Sequence, residues 1–375
     1  MKRKNVLFLI TGLGHGGAET QVVRVACALK KRGWIVSIVT MIDPQSVVLL
    51  EQLKKGDVEI ESLGFGTSRL NSLRLLPKLQ RILLRKKPAV LCSFLFHANI
   101  LGQFARHLAD IPRYITSIRG ASFGSQKRIK FASFFHQFDD LTTLNSQKVA
   151  DYMVEESILQ KDNIEIIHNA ISLDDYQGRP LVRKREREKL KLNEATFLFI
   201  ALGRVHPVKG YNYLVDACAT IERDFRLIIV GKNDDDALAR RIEKSKLNNK
   251  ITLLGFRSDV ANLLAASDAL VLSSISEGLP NAVIEAHAAG LPVISTDVGG
   301  VKEIIVEGKS GLTLPAKDAK ALGLAMQKFI ESPPHQLREM GAIGRAHIED
   351  TFGLDKVVDR WEEILLGVRV NPVQN

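Results

Sequence analysis

The chain has 375 residues, of which 45% are hydrophobic and 25% charged, and its formal net charge is +10 at pH 7. This length suits two domains, and this composition excludes a disordered or fibrous protein. The three cysteines, Cys27, Cys92 and Cys218, lie far apart, without a CxxC motif or a His/Cys cluster. Their distribution argues for a reducing compartment and against a zinc site.

The excess of positive charge is concentrated in the first half of the chain. Residues 1–177 hold 24 Lys and Arg against 16 Asp and Glu, a net charge of +8, whereas the remainder holds 28 against 26, a net charge of +2. This asymmetry predicts an anionic partner of the first half, either phosphate groups or a lipid surface, or else a basic solvated surface. No recognition motif for nucleic acid accompanies the charge, and we expect no nucleic acid partner.

The apolar segments favour a protein without a membrane span. The opening "MKRKNVLFLITGLG" has the basic start of a signal peptide, but its apolar run is too short and no small-residue cleavage site follows. Residues 89–105 form the longest stretch without an acid, Lys or Arg, and they contain His97, Asn99 and Gln103. Such polar groups are costly in lipid. We therefore expect a buried first strand, no transmembrane helix and a cytoplasmic location.

Predicted strands and helices alternate twice along the chain. "NVLFLI", "IVSIVTM" and "AVLCSFL" in the first half, and "TFLFIALGR", "RLIIVGK" and "DALVLSS" in the second, are typical of buried strands separated by helices. Residues 178–191 interrupt the alternation with a charge run and are interpreted as a linker that leads into a helix. The pattern predicts an α/β protein with two doubly wound parallel sheets facing a cleft, with ligands in the turns that follow the strands.

The turn after the first predicted strand, "GLGHGGAET", has a dinucleotide-like spacing. Gly12, Gly14 and Gly17 follow GxGxxG, and Asp43 lies near the end of the second strand. Glycines of this kind allow backbone amides to approach a pyrophosphate at the start of a helix. An NAD-dependent oxidoreductase is therefore one hypothesis, although such turns also serve other phosphate ligands.

The second half carries two turns with charged side chains. "GRVHPVKG" presents Arg204 and Lys209 after a strand, and two cations in one turn suit a diphosphate. "SEGLPNAVIEA" places Glu277 before a predicted helix and Glu285 within it. The amides at the start of that helix favour an anion, whereas a carboxylate accepts hydrogen bonds from a diol. A nucleotide sugar has the diphosphate and the two polyols that these groups would use.

These motifs resemble the retaining family-4 glycosyltransferases of GT-B fold. The match includes "SSISEGLPNAVIEAHAAGLPVISTDVGGVKEII", "GHGGAET" and "GRVHPVKG", in the family's order, and the resemblance covers essentially the whole chain. It implies an N-terminal Rossmann-like acceptor-binding domain over residues 1–177 and a nucleotide-sugar-binding domain over residues 190–350. A C-terminal helix at 353–370 would pack back on the first domain, with Trp361 as a packing residue.

The resemblance also implies a role for individual residues. Arg204 and Lys209 would hold the donor diphosphate, Glu285 the ribose hydroxyls and Glu277 the transferred sugar, while His97 would face that sugar. The catalytic set is then His97, Arg204, Lys209 and Glu277. The donor-binding set is Gly16, Gly17, Arg204, Lys209, Gly231, Phe256, Arg257, Glu277, Gly278, Leu279, Pro280, Asn281 and Glu285.

The implied function is transfer of a hexose from a nucleotide sugar, with a UDP-sugar favoured, to a hydroxyl of a glycan or lipid-linked glycan in bacterial polysaccharide assembly. No metal or other cofactor is expected, and Asp234 to Asp236 are interpreted as a solvated loop. Residues 69–87 and 125–138 mix cations with apolar groups and predict either peripheral contact with the inner face of an anionic membrane or ordinary packed helices. A nucleotide-sugar epimerase of the same fold and a non-catalytic sugar-binding protein remain alternatives beside the oxidoreductase.

Overall fold

The structure is a computed structural model, and it describes residues 4–14, 16–65, 69–120, 132–176, 180–233 and 236–368. The chain divides into two compact units. The first comprises Met1–Ala170 with Leu354–Asn375, and the second comprises Ile171–Gly353. Parallel β-sheets form the centre of both units, which confirms the prediction of an α/β protein with two Rossmann-like domains.

The sheet of the first unit has the strand order β3-β2-β1-β4-β5-β6-β7, with every neighbouring pair parallel. All six residues of β1 are buried, as expected for a parallel strand covered on both faces. The strands are β1 (Asn5–Ile10), β2 (Ile35–Thr40), β3 (Glu59–Ser62), β4 (Val90–Phe94), β5 (Arg113–Ile118), β6 (Leu141–Leu144) and β7 (Ile164–Ile166). The helices between them include α1 (Gly17–Lys31), α2 (Val47–Lys55), α3 (Arg69–Lys86), α4 (Phe96–Leu108) and α5 (Gln147–Glu155).

The sheet of the second unit has the order β10-β9-β8-β11-β12-β13, again all parallel. Its strands are β8 (Leu198–Leu202), β9 (Arg226–Val230), β10 (Ile251–Gly255), β11 (Ala269–Leu272), β12 (Val293–Thr296) and β13 (Gly311–Leu314). Its helices include α6 (Pro180–Lys189), α7 (Tyr211–Ala219), α8 (Ala237–Lys244), α9 (Val260–Ala266), α10 (Asn281–Ala288), α11 (Val301–Ile304), α12 (Ala319–Glu331) and α13 (Pro334–Phe352).

The charge run that suggested a linker is largely helix α6, and it belongs to the second unit. Arg187 on this helix is buried and donates to the carbonyl of Ala266, while Arg183 donates to the carbonyls of Ala266 and Ser267. Both guanidinium groups thus satisfy carbonyls at the end of α9, where cations are favoured by the helix dipole. The charged side chains of this run therefore anchor helix α6 to the end of α9. The periodicity of the sequence alone did not predict this role.

The last helix of the chain, α14 (Leu354–Leu365), is part of the first unit. Trp361 is buried, and its ring lies 6.3 Å from that of Phe8 and 5.9 Å from that of Phe94, measured between centroids. The face of α14 that carries Trp361 therefore covers strands β1 and β4. At its polar margin, Glu362 accepts a hydrogen bond of 2.6 Å from the indole of Trp34.

Helix α3 carries most of the basic segment 69–87. Its Leu79 and Leu83 are buried in a cluster with strands β1 and β4, so this helix packs on the sheet as an ordinary amphipathic helix does. Residues 125–131 of the other basic segment lie outside the described residues, as do Asp234 and Asp235. Among the helices of the described chain, none combines the length and apolarity needed to cross a bilayer.

Candidate active site

The strand order of the second unit brings two turns together. The order reverses between β8 and β11, which pair directly, so the turns that follow these strands are neighbours at the carboxyl edge of the sheet. Such a switch point is where open α/β sheets bind ligands. The turn after β8 contains Arg204 and Lys209, and the turn after β11 contains Glu277.

The turn after β8 is fixed by a short 3-10 helix, Pro207–Lys209, and by Gly210. Gly210 has φ +63°, and a Cβ there would collide with the carbonyl oxygen of Ser273 in the neighbouring turn. Ser273 donates its hydroxyl to the carbonyl of Lys209 at 2.9 Å, and the amide of Ile275 donates to the carbonyl of Val208 at 2.7 Å. The two turns are therefore joined by backbone contacts that only glycine at position 210 permits.

Lys209 and Glu277 meet in this arrangement. Lys209 Nζ lies 2.7 Å from Glu277 Oε1, and the hydroxyl of Ser274 donates to the same oxygen at 2.6 Å. The side chains are 24% and 14% exposed, so both remain accessible from one side. Both hydrogen bonds end on Oε1, and Glu277 Oε2 has no hydrogen-bond partner among the described residues. This oxygen is available to accept from a ligand hydroxyl.

Tyr211 and two glycines complete the floor of the turn. The phenol of Tyr211 donates to the carbonyl of Gly203 at 2.8 Å. Burial, and secondarily the nearby Glu277 carboxylate, raise the pKa of Tyr211 well above its ordinary value, so the phenol stays a donor at neutral pH. A Cβ at Gly231, after β9, would collide with the same Gly203 carbonyl. Gly231 thus allows the turn after β9 to approach the turn after β8.

Helix α10 begins at Asn281. Pro280 is its N-cap, with an extended backbone at φ −74° and ψ 109°, and no side chain caps the helix. Glu285 lies in the middle of α10 and is half-buried. The segment before the helix is held by a backbone hydrogen bond, in which the amide of Gly300 donates to the carbonyl of Gly278 at 2.7 Å. Helix α10 follows the turn after β11, so it begins at the same edge of the sheet as Lys209.

The remaining predicted donor-binding side chains of this unit differ from one another. Arg204 is exposed and forms no hydrogen bond or ion pair with the described residues. Phe256 follows β10 and is 50% exposed. Arg257, by contrast, forms a two-pronged ion pair with Asp259, with N–O distances of 2.7 and 2.6 Å. Its charge is already compensated, which the sequence did not reveal.

The first unit has its own switch point, between β1 and β4. Gly16 is the N-cap of α1 and Gly17 its first residue. A Cβ at Gly16 would collide with the carboxylate of Glu19, so that carboxylate lies against the glycine-rich turn. A pyrophosphate bound at this turn, as a dinucleotide would require, would face a negative charge.

His97 follows β4 and is exposed as the second residue of α4. Leu95, just before the helix, has φ +73° and ψ 154°. This backbone conformation is essentially confined to glycine and costs about 1–3 kcal/mol for other residues, which is typical of functional sites. The strained Leu95 turns the chain so that His97 lies at the carboxyl edge of the sheet.

Sequence reasoning missed the residues that support the site rather than form it. Ser274, Tyr211 and Gly210 each hold Lys209, Glu277 or their turns in position. Gly210 is the last residue of "GRVHPVKG", but the residue that it contacts, Ser273, lies 63 positions later in the chain. Its role is therefore apparent only in the folded structure. Within the described residues, no cluster of acids, histidines or cysteines forms a metal site.

Two family models match the chain, each over one unit. The model described as Glycosyl transferases group 1 matches residues 182–347, and Glycosyltransferase Family 4 matches residues 15–175. Among curated proteins, the chain is 25% identical over 328 residues to UDP-Gal:alpha-D-GlcNAc-diphosphoundecaprenol alpha-1,3-galactosyltransferase of Escherichia coli, covering 83% of this chain and 84% of that one. It is 23% identical over 354 residues to a lipopolysaccharide core biosynthesis glycosyltransferase, LpsE, of Rhizobium meliloti, covering 93% and 96%.

Solved structures show the same architecture. The Anabaena protein Alr3699/HepE, crystallised in complex with UDP-glucose, superimposes with a TM-score of 0.87 at 22% identity, covering 96% of this chain and 99% of that one. These findings confirm the resemblance stated from the sequence motifs, and they favour glycosyl transfer over the oxidoreductase and epimerase alternatives. The chain belongs to the group 1, family 4 glycosyltransferases of GT-B fold.

Proposed function

We propose that this glycosyltransferase moves a hexose from a UDP-sugar to a hydroxyl of a glycan or lipid-linked glycan, with retention at the anomeric carbon, in bacterial polysaccharide assembly. The observation that carries the proposal is the contact between Lys209 and Glu277 at the switch point of the second unit. It joins a cation suited to phosphate and a carboxylate suited to sugar hydroxyls. The names of the E. coli relative and the Anabaena complex, which specify UDP-Gal and UDP-glucose, support a UDP-sugar.

The donor would use several groups of the second unit. Lys209 and the exposed Arg204 bind the diphosphate, together with amides at the start of α10, where the helix dipole favours an anion. Glu285 accepts hydrogen bonds from the ribose diol, and Glu277 Oε2 accepts from a hydroxyl of the transferred sugar. Gly231 lets the ligand approach the backbone, and Phe256 and Arg257 lie after β10 as candidates for base contacts.

The reaction breaks the bond between the anomeric carbon and the leaving phosphate oxygen, and forms a bond from that carbon to the acceptor oxygen on the same face. The leaving phosphate takes the proton of the acceptor hydroxyl, so protons and charge balance without a separate base. Negative charge grows on the diphosphate during this step. Lys209, Arg204 and the amides of α10 stabilise it as preorganised positive groups. In this proposal His97 faces the sugar from the first unit.

The acceptor is proposed to bind the basic first unit, and the protein to lie in the cytoplasm with peripheral contact to an anionic membrane. Phe134 and Phe138, at the end of the segment 125–138, are 57% and 49% exposed, which suits a lipid interface. Flotation with vesicles containing anionic lipid at low salt tests this part. Binding that disappears at high salt is expected, whereas no binding at low salt would remove the membrane from the proposal.

The function itself is tested by incubating the protein with UDP-glucose, UDP-galactose and UDP-N-acetylglucosamine and following the release of UDP. Release from one of these donors is expected, with loss in Lys209→Ala. A transferred sugar on an added lipid-linked glycan, identified by mass spectrometry, separates transfer from epimerisation. Conversion of the donor to an isomer without release of UDP would contradict the proposal.

A further inference from the structure

Arg119 is a cation at the carboxyl edge of the first unit's sheet that none of the motifs above includes. It directly follows β5, the strand that pairs with β4, so it lies on the edge that also carries His97. Loops at this edge of an open α/β sheet are where ligands bind. Its position alone makes it a candidate for contact with a substrate.

Neutral groups fix the orientation of the guanidinium of Arg119. Nε donates to the hydroxyl of Ser117 at 2.9 Å, and Nη1 donates to the carbonyl of Ile167 at 3.1 Å and to Asn169 Oδ1 at 3.3 Å. Phe94 and Trp361 lie beneath it, with ring centroids 5.5 and 5.7 Å from Cζ. Nη2 forms no hydrogen bond with any residue that the structure describes. The side chain is thus preorganised and keeps two N–H donors for another partner.

The charge of Arg119 has no counter-ion among the described residues. None of the carboxylates in the described parts of the chain forms an ion pair with it, and burial lowers its pKa to about 10. Arg106 on α4 provides the contrast within the same unit. It also stacks on an aromatic ring, that of Tyr114, and donates to a backbone carbonyl, but its Nη1 lies 3.2 Å from the carboxylate of Asp140. Arg119 is only partly buried, and a cation without a counter-ion among the described residues is stabilised when an anion binds.

We propose that Arg119 binds a phosphate or diphosphate group of the acceptor substrate. A planar guanidinium with two free donors on one nitrogen matches phosphate oxygens well. The inference rests on the proposed function, and the acceptor named for the E. coli relative, a sugar on diphosphoundecaprenol, contains such a group. Arg119 would select acceptors that carry phosphate near the sugar. The diphosphate of the donor is the other source of the same chemistry, and the experiment separates the two.

The test is isothermal titration of the full-length protein with inorganic diphosphate in the presence of saturating UDP, which occupies the donor-binding groups of the second unit. Wild-type protein is expected to bind diphosphate, Arg119→Gln to bind it at least about tenfold more weakly, as for the loss of a charge-assisted hydrogen bond, and Arg119→Lys to retain most of the affinity. Arg106→Gln is the matched control and should bind as the wild type does. UDP affinity, titrated separately, should be unchanged in Arg119→Gln.

Three results would overturn the proposal. They are absence of diphosphate binding by the UDP-saturated wild type, equal binding by Arg119→Gln, or loss of UDP affinity in Arg119→Gln, which would assign the anion to the donor. Thermal unfolding of each variant checks that it is folded, and Arg119→Lys keeps the test valid if the glutamine variant is not. Failure of the proposed function gives a different outcome, because the wild type would then not bind UDP at all.

Discussion

The turns that follow the first strand of each sheet, residues 11–16 after β1 and residues 203–210 after β8, differ in what surrounds their glycines. Both join a buried strand to a helix at the switch point of a parallel sheet. In the second unit the turn carries Lys209 onto Glu277, whereas in the first the carboxylate of Glu19 lies against Gly16. Glycine spacing therefore reports how closely backbones approach, and the charged side chains nearby decide which ligand the turn can bind.

The comparison predicts that the glycines of the second turn matter through contact as well as through backbone angle. Gly210→Ala should lower the free energy of unfolding by at least about 3 kcal/mol, because a positive φ costs about 1–2 kcal/mol and the new Cβ would also collide with Ser273. Gly308→Ala is the matched control, since Gly308 has φ +70° but open space around it, and it should lose about 1–2 kcal/mol. Denaturant titration measures both, and equal losses would show that the contact is unimportant.

The second prediction removes the cation that distinguishes the two turns. Lys209→Ala should lower kcat by about a hundredfold, the effect of losing one preorganised group that stabilises developing charge. Arg241→Ala is a fair control, because Arg241 pairs with Asp216 at 2.6 Å on helices α7 and α8 of the same unit. It should leave kcat within about threefold of the wild type. Near-normal turnover of Lys209→Ala would end its proposed role.

The third prediction concerns the histidine that anchors helix α10, which follows the turn containing Glu277. His287 is fully buried, with Nδ1 3.0 Å from the carbonyl of Leu291 and Nε2 3.2 Å from the hydroxyl of Ser310. Burial lowers its pKa to about 4 from 6.5. As the pH falls, His287 therefore binds a proton near pH 6.5 in the unfolded chain but only near pH 4 in the folded protein. Its contribution to stability is present above pH 6.5 and is lost as the pH falls from 6.5 to about 4.

Lowering the pH from 7 to 5.5 should reduce the free energy of unfolding by about 1 kcal/mol through the titration of His287. Chemical denaturation at the two pH values measures the difference. His287→Asn, which keeps a donor near Leu291, should be less stable at both pH values but lose less between them. An unchanged pH difference in that variant would assign the titration to another group.

The fold could be predicted from the sequence, and Lys209 and Glu277 could be singled out, for reasons that are local. Buried parallel strands have no alternation, so runs such as those of β1 and β8 are visible in the sequence, and Lys209 and Glu277 each lie in a turn that ends such a run. That the two turns adjoin depends on the strand order, in which β8 pairs directly with β11. The direct contact between the two side chains could not be predicted, because a pairing over 68 positions depends on the register of β8 and β11.

Other features could not be predicted from the sequence because they depend on which side chains are neighbours in the folded structure. Arg257 stays a predicted contact of the donor, and its ion pair with Asp259 is a feature that the sequence analysis did not predict. Arg119 was not singled out, because "ITSIRG" looks like a strand with a surface arginine. Only the folded structure shows that Nε and Nη1 donate to neutral groups and that no described carboxylate pairs with this arginine. Charge balance around an arginine is a property of tertiary structure.

The central claim, a nucleoside diphosphate bound by the second unit, is tested most directly by thermal unfolding with UDP, GDP, ADP, CMP and NADH. Wild type and Glu285→Ala are compared. A ligand at 100 times its dissociation constant adds about 2.7 kcal/mol to the stability of the folded protein. UDP should raise the Tm of the wild type, and the same UDP concentration should give a smaller shift in Glu285→Ala. Stabilisation by NADH alone, or an equal UDP shift in both proteins, would contradict the account.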